Sequence, residues 1–199
     1  MEVIGLTGSA GEGGKTDLGL MILENIRRKT GVLKGRVNKD SSRIVTEDPQ
    51  IMRAESPGIS PYLNSVAENV VLLQSSPADL KSAIDEAYRC FSDLDYLLVE
   101  GDRLILSLDP GLIIQIMEEG VENESLPEVK QNPDLIVKNY EIYRSTDLND
   151  INIELPADEI SCYRAQLISD LLGRGYGEFG RKLNREGIQV RRCQLGLFK

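Results

Sequence analysis

Between residues 8 and 14 this 199-residue chain places four glycines, then Lys15-Thr16, between an apolar run and a helix-like one. Val3-Ile4-Gly5-Leu6-Thr7 suits a buried parallel strand. From Lys15 to about Lys29, Leu18, Met21, Ile22, Leu23 and Ile26 recur at helical spacing. The residues between are loop. Glycines let successive backbone N–H groups turn inward toward one anion. The start of the following helix offers its unsatisfied N–H groups and positive dipole end to the same anion. Lys15 adds a full charge. The combination predicts a strand, a phosphate-binding turn and a helix, in that order.

The rest of the chain continues the alternation. Val32–Val37, Asn69–Leu73, Tyr96–Val99, Leu112–Met117 and Leu135–Val137 read as further strands. Ser76-Pro77-Ala78-Asp79 reads as a helix start running to about Phe91, with Ser76 as cap and Pro77 in the first turn. A third helix is expected near Asp158–Leu172. Residues 38–65 are polar and hold Pro49, Pro57 and Pro61, so they read as one long functional loop with a single helical turn. Residues 118–133 read as a solvated acidic segment. A helical turn at Arg181–Arg185 and a last strand near Ile188–Leu197 close the chain. Strands alternating with helices imply an α/β fold, a mostly parallel sheet with helices on both faces. The expected division is a domain over residues 1–173 and a small basic C-terminal extension, 174–199, packed on it.

The stretch Thr7–Thr16 resembles the Walker A loop of P-loop NTPases. The resemblance implies nucleotide contacts from Gly11, Glu12, Gly13, Gly14, Lys15, Thr16 and Asp17, with Lys15 on the β/γ-phosphates and the Thr16 hydroxyl on Mg²⁺. The usual pattern has glycine where Ser9 stands; either Ser9 replaces it or the loop is one residue longer, and Gly11–Thr16 is intact in both cases. A P-loop protein also needs a carboxylate at a neighbouring strand end to hold Mg²⁺ or its water. The apolar strand ending Val99-Glu100-Gly101-Asp102 offers Glu100 as a metal-side and catalytic group. Asp40, after the second strand, is either a further catalytic carboxylate or a capping residue in a polar loop. Asn139 stands where GTPases carry their guanine-reading motif, but the Lys and Asp of that motif are absent, so Asn139 is expected to contact a base edge without fixing ATP or GTP.

Gly11–Thr16, Lys39-Asp40-Ser41-Ser42-Arg43 and Leu98-Val99-Glu100-Gly101 are similar to the GTP-binding adapter family of molybdopterin-guanine dinucleotide biosynthesis. Dethiobiotin synthetase and the nickel-insertion GTPases share the architecture. The likeness covers roughly residues 1–140. It implies a protein that binds and slowly hydrolyses ATP or GTP with Mg²⁺, serving cofactor biosynthesis or metalloenzyme maturation. Its partner would be an anionic small molecule or a protein of such a pathway. A small-molecule kinase or ligase is the alternative, with Arg43, Arg53, Arg181 and Arg185 as anion clamps; a degenerate P-loop scaffold is a third.

Composition narrows the classes. A net charge of −9 argues against general nucleic-acid binding. No apolar run approaches the ~20 residues needed to span a bilayer. Histidine is absent, which removes His-based catalysis and His metal sites. Cys90, Cys162 and Cys193 are far apart and read as reduced thiols; with Glu2 and a glycine loop where a signal peptide would be basic and apolar, a cytoplasmic location is expected. Arg174–Lys199 carries seven basic and two acidic residues. That segment either docks on the acidic body, within the chain or across a homodimer, or forms an anion site.

Overall fold

In the computed structural model, which describes residues 1–8, 14–118 and 133–191, β1 (Glu2–Gly8) lies inside an eight-stranded sheet. The sheet order is β3-β4-β2-β5-β1-β6-β7-β8. The six central strands are β4 (Asn69–Ser75), β2 (Thr30–Val37), β5 (Tyr96–Glu100), β1, β6 (Leu112–Met117) and β7 (Leu135–Lys138). All pair in parallel. Two short antiparallel strands, β3 (Ile44–Thr46) and β8 (Ile153–Glu154), close the edges. The central strands are nearly continuous runs of buried aliphatics, as a sheet covered on both faces requires.

Alternation along the strands sorts their side chains to two faces. Ile4, Leu6, Val32, Leu98 and Ile114 point to one, and Val3, Leu33, Leu97 and Val99 to the other. The first face is covered by α1 (Gly14–Asn25), α2 (Pro49–Glu55), α3 (Ser60–Leu63), α6 (Asn139–Arg144), α7 (Cys162–Leu171) and α8 (Tyr176–Arg185), through residues such as Leu18, Ile22, Met52, Tyr62, Ile142, Ile168 and Phe179. The second face is covered by α4 (Leu80–Tyr88) and α5 (Asp102–Leu108), through Ala83, Ile84, Leu104 and Ile105. The α/β expectation holds.

Several boundaries differ from the sequence reading. Residues 38–65 are not one loop: they form β3, α2, a 3-10 turn (Pro57–Ile59) and α3. Asp48-Pro49 starts α2, with the Asp48 carboxylate accepting from the Gln50 amide at 2.8 Å and Pro49 in the first turn. Cap and proline together are a readable start signal. Ser76–Asp79 is a turn rather than the first turn of α4: the Ser76 hydroxyl accepts from the Asp79 amide and donates to its carboxylate. α1 stops at Asn25, whose side-chain amide donates to the Met21 carbonyl at 2.9 Å. α5 and α6 were not foreseen. The C-terminal part forms a full helix, α8, whose Phe179 and Leu183 join the main apolar cluster along with Ile188. β10 (Gln189–Arg191) pairs in parallel with β9 (Glu159–Ser161) as a separate two-stranded sheet, and Arg191 forms an ion pair with Glu159. The remainder of the strand expected near 188–197, and most of the acidic stretch 118–133, lie outside the described residues, as does Cys193.

Candidate nucleotide and metal site

The parallel strands all end at one edge of the sheet, and β1 lies between β5 and β6 there. Open α/β sheets bind ligands in such a crevice, outside the carboxyl ends of the strands. Two glycines make the approach possible. Gly8 ends β1 at φ 146° and has the Ile116 carbonyl where a Cβ would stand. Gly101 follows β5 at φ 144° with the Gly35 carbonyl in the same relation. Between them Thr7, fully buried, donates to the Asp102 carboxylate at 2.6 Å, tying the end of β1 to the start of α5.

Thr16 lies in the first turn of α1, and its hydroxyl donates to Glu100 Oε2 at 3.0 Å. Glu100, the last residue of β5, is 8% exposed. The two residues, 84 positions apart, are thus joined at the strand end. Lys15 Nζ donates to the Gly8 carbonyl at 3.2 Å, so its side chain curls over the segment that opens the glycine loop. Gly14 opens α1. Asp17 is half-buried one residue beyond Thr16. Gly11, Glu12 and Gly13 lie outside the described residues.

Asn139 opens α6 beside the start of α1. A side chain at position 14 would overlap the Asn139 amide, so Gly14 is needed for this approach as well as for any phosphate. Asn139 Nδ2 donates to Glu118 Oε1 at 2.9 Å, while its Oδ1 is buried without a hydrogen-bond partner. Such an orphaned acceptor is uncommon in a folded protein. Asp40 sits in the exposed turn after β2, the parallel neighbour of β5, with no hydrogen bond or ion pair to Thr16 or Glu100 among the described residues.

Two residues complete the cluster that the sequence reading did not select. Lys34 on β2 stands opposite Glu100 in the β2·β5 register, and its ammonium lies 2.8 Å from Glu100 Oε1. Tyr62 on α3 donates its hydroxyl to Glu100 Oε2 at 3.1 Å. Burial first, and then the neighbouring Glu100 charge, hold the Tyr62 pKa well above 10.0, so the phenol stays a donor. The Tyr62 hydroxyl also occupies the space that a side chain at Gly19 would take. In sequence Lys34 and Arg36 alternate as an outward-facing pair on β2, but Lys34 shares a strand face with the core residue Val32 and is turned to Glu100 instead.

Among the described residues no group of three or more His, Cys, Asp or Glu could hold a metal ion. The donor set that is present, a threonine hydroxyl and a single carboxylate, is nonetheless one that fits Mg²⁺. That ion commonly takes one or two protein oxygens and completes its shell with phosphate and water. The four arginines considered as clamps are dispersed. Arg43 forms an ion pair with Glu86 on α4, Arg53 is exposed on α2, and Arg181 and Arg185 lie on α8.

No protein-family model and no curated protein matches this sequence. Among solved structures, the MinD cell division protein of Aquifex aeolicus is similar at 15% identity, covering 96% of this chain and 100% of that one, with a TM-score of 0.31. No helix among the described residues is long and apolar enough to cross a membrane.

Proposed function

We propose that the chain is a P-loop nucleotide-binding protein that hydrolyses ATP or GTP slowly with Mg²⁺. The observation that carries this is the bond between the Thr16 hydroxyl and the buried Glu100 carboxylate, made where α1 begins and β5 ends. A strand, a glycine loop and a Lys-Thr helix start supply the phosphate site, and the Thr–Glu pair supplies the metal side. Lys15 would neutralise the β/γ-phosphates and Gly11–Thr16 would cradle them through backbone N–H groups. Asp17 belongs to the same helix turn. Asn139, with its unpartnered Oδ1 beside Gly14, would accept a hydrogen bond from a base or other nucleotide donor. Thr16 and Glu100 would hold Mg²⁺, which supplies charge to the phosphate oxygens when bound. Glu100 would also order water next to the phosphate. Rate acceleration would come from positioning and electrostatics rather than a covalent intermediate. Asp40, in the exposed turn after β2, forms no hydrogen bond or ion pair with Thr16 or Glu100 among the described residues and is given no role here. Service to cofactor biosynthesis or metalloenzyme maturation is the cellular role that the family resemblance suggests.

The test is thermal unfolding with ATP, GTP and their Mg²⁺ complexes, followed by a turnover assay. A true binder at a hundred times its Kd gains about 2.7 kcal/mol. A Mg²⁺-dependent shift with release of inorganic phosphate supports the reading. A shift without turnover leaves a binding or scaffold protein, and no shift with any nucleotide removes the reading altogether.

A further inference from the structure

Lys34 is the charged member of the cluster that nucleotide binding by itself does not require. It occupies a strand position whose neighbour on the same face, Val32, is core, and its side chain is 16% exposed. The stem passes Tyr62, with Nζ 5.7 Å from the ring centroid. The ammonium meets Glu100 Oε1 at 2.8 Å, Thr16 Oγ1 at 3.0 Å and the Gly58 carbonyl at 3.1 Å. An ammonium has three N–H bonds, so these three acceptors account for all of them. Two of the three are the oxygens to which the metal is assigned above. Mg²⁺ sits about 2.1 Å from its ligands. At that distance from the same oxygens, it and the ammonium would be like charges in near contact in a buried site, where repulsion is poorly screened.

We infer that Lys34 is a built-in competitor for the metal position: it neutralises Glu100 and saturates Thr16 until a divalent cation replaces it. The inference rests on the reading of Thr16 and Glu100 as the metal's holders. The third acceptor gives the exchange a consequence. Gly58 lies in the 3-10 turn between α2 and α3, and α3 carries Tyr62, which is itself bonded to Glu100. Displacing Lys34 therefore removes the bond that ties residues 57–63 to β2. Metal arrival and the conformation of this segment are coupled through one side chain. A lysine serving only to reach a phosphate would have no need of a backbone carbonyl and a buried carboxylate together.

The experiment measures binding of Mn²⁺, without nucleotide, from the electron paramagnetic resonance signal of the free ion, for the wild type, K34M and K34Q. Removing the competitor should tighten Mn²⁺ binding at least tenfold in both variants, and E100Q should abolish it. K34Q retains a donor toward Glu100, so it remains informative if K34M fails to fold. Alongside, amide hydrogen exchange of residues 58–63 in the wild type should quicken on addition of Mn²⁺ with ADP. Lysine variants that bind Mn²⁺ no better, or worse, overturn the competition even if Mg²⁺-nucleotide still raises the wild-type melting temperature; in that case only this inference falls. If neither the wild type nor the variants bind Mn²⁺, and no nucleotide shifts melting, both this inference and the nucleotide reading fall.

Discussion

Glu100 and Asp134 are buried carboxylates at opposite ends of the sheet, and they are held in different ways. Glu100, at the carboxyl end of β5, is surrounded by side-chain groups: Lys34, Thr16 and Tyr62. Asp134 precedes β7 at the other end, with its side chain 7% exposed. It accepts from the Ile113 backbone amide at 2.8 Å and pairs with Arg164 at 2.6 Å, while its own amide donates to the Ile113 carbonyl. Burial raises the Asp134 pKa, and the Ile113 amide and Arg164 work against that rise. A cleft of about 400 Å³ lies beside it, lined by Pro133, Leu155, Ser161 and Arg164 among others. The presence of a cleft would by itself favour the Asp134 end as a binding site. Donor type favours the other. Side chains can swing away and yield a carboxylate to a cation, whereas a backbone amide in a strand pair is fixed. The Asp134 end therefore reads as a clip between β6 and β7, and the Glu100 end as an exchangeable site.

The sharpest way to break this contrast is to remove a partner at each end. E100L leaves the mostly buried Lys34 ammonium without its counter-ion and should cost about 3 kcal/mol in urea unfolding. Adding K34M to it should restore most of that loss. R164A should cost at most about 1 kcal/mol, because Arg164 is half exposed. Equal losses at the two ends would erase the distinction.

K15A comes next. It should abolish the nucleotide-dependent stabilisation, about 2.7 kcal/mol for the wild type at a hundred times Kd. Its unfolding free energy without nucleotide should change by no more than about 0.5 kcal/mol, as for a substitution away from the core. Binding of Mg²⁺-nucleotide at wild-type strength would return the Glu100 end to the structural class.

Y62F removes one hydroxyl donor to Glu100 and should cost about 1 kcal/mol. The pH dependence has a definite sign. The Tyr62 pKa is raised in the folded protein, so its contribution is fully present below the unfolded value of 10.0 and fades as pH rises above it. The wild-type advantage over Y62F should stay level from pH 7 to 9 and shrink at higher pH. Unfolding curves that show the advantage vanishing below pH 9 would mean that the phenol is not held as a buried donor.

The smallest effect is expected for D134N. The Asp134 pKa is raised by burial, so its stabilising contribution is full below the ordinary 3.8 and diminishes as pH rises through the folded value. At pH 7 the variant should lie within about 1 kcal/mol of the wild type. Its deficit should widen as pH falls toward 4. Melting temperatures at pH 7 and 4.5 check this, and a deficit that narrows on acidification would mean that the carboxylate is stabilised in its charged form.

Local pattern determined a good deal from sequence alone. Apolar runs bounded by turns located β1, β2, β4, β5, β6 and β7, because a parallel strand buried on both faces must be aliphatic throughout. Glycine spacing and Lys-Thr placed the start of α1 and Thr16, and a strand ending in an acid singled out Glu100. Asp48-Pro49 is a start signal for α2, but with three prolines in residues 38–65 the stretch read as loop and the helix was not foreseen. Only tertiary structure decided the rest. Lys34 meets Glu100 because β2 lies next to β5 in the sheet, a neighbour set by crossovers of dozens of residues and not by any local signal. Tyr62 reaches the same carboxylate because α3 folds back over α1 at Gly19. Asp40 lies in the exposed turn after β2, and none of the hydrogen bonds or ion pairs of Thr16 and Glu100 among the described residues involves it. Sequence periodicity fixes which face a side chain takes, but the partner it meets there depends on strand order, which is a property of the whole chain.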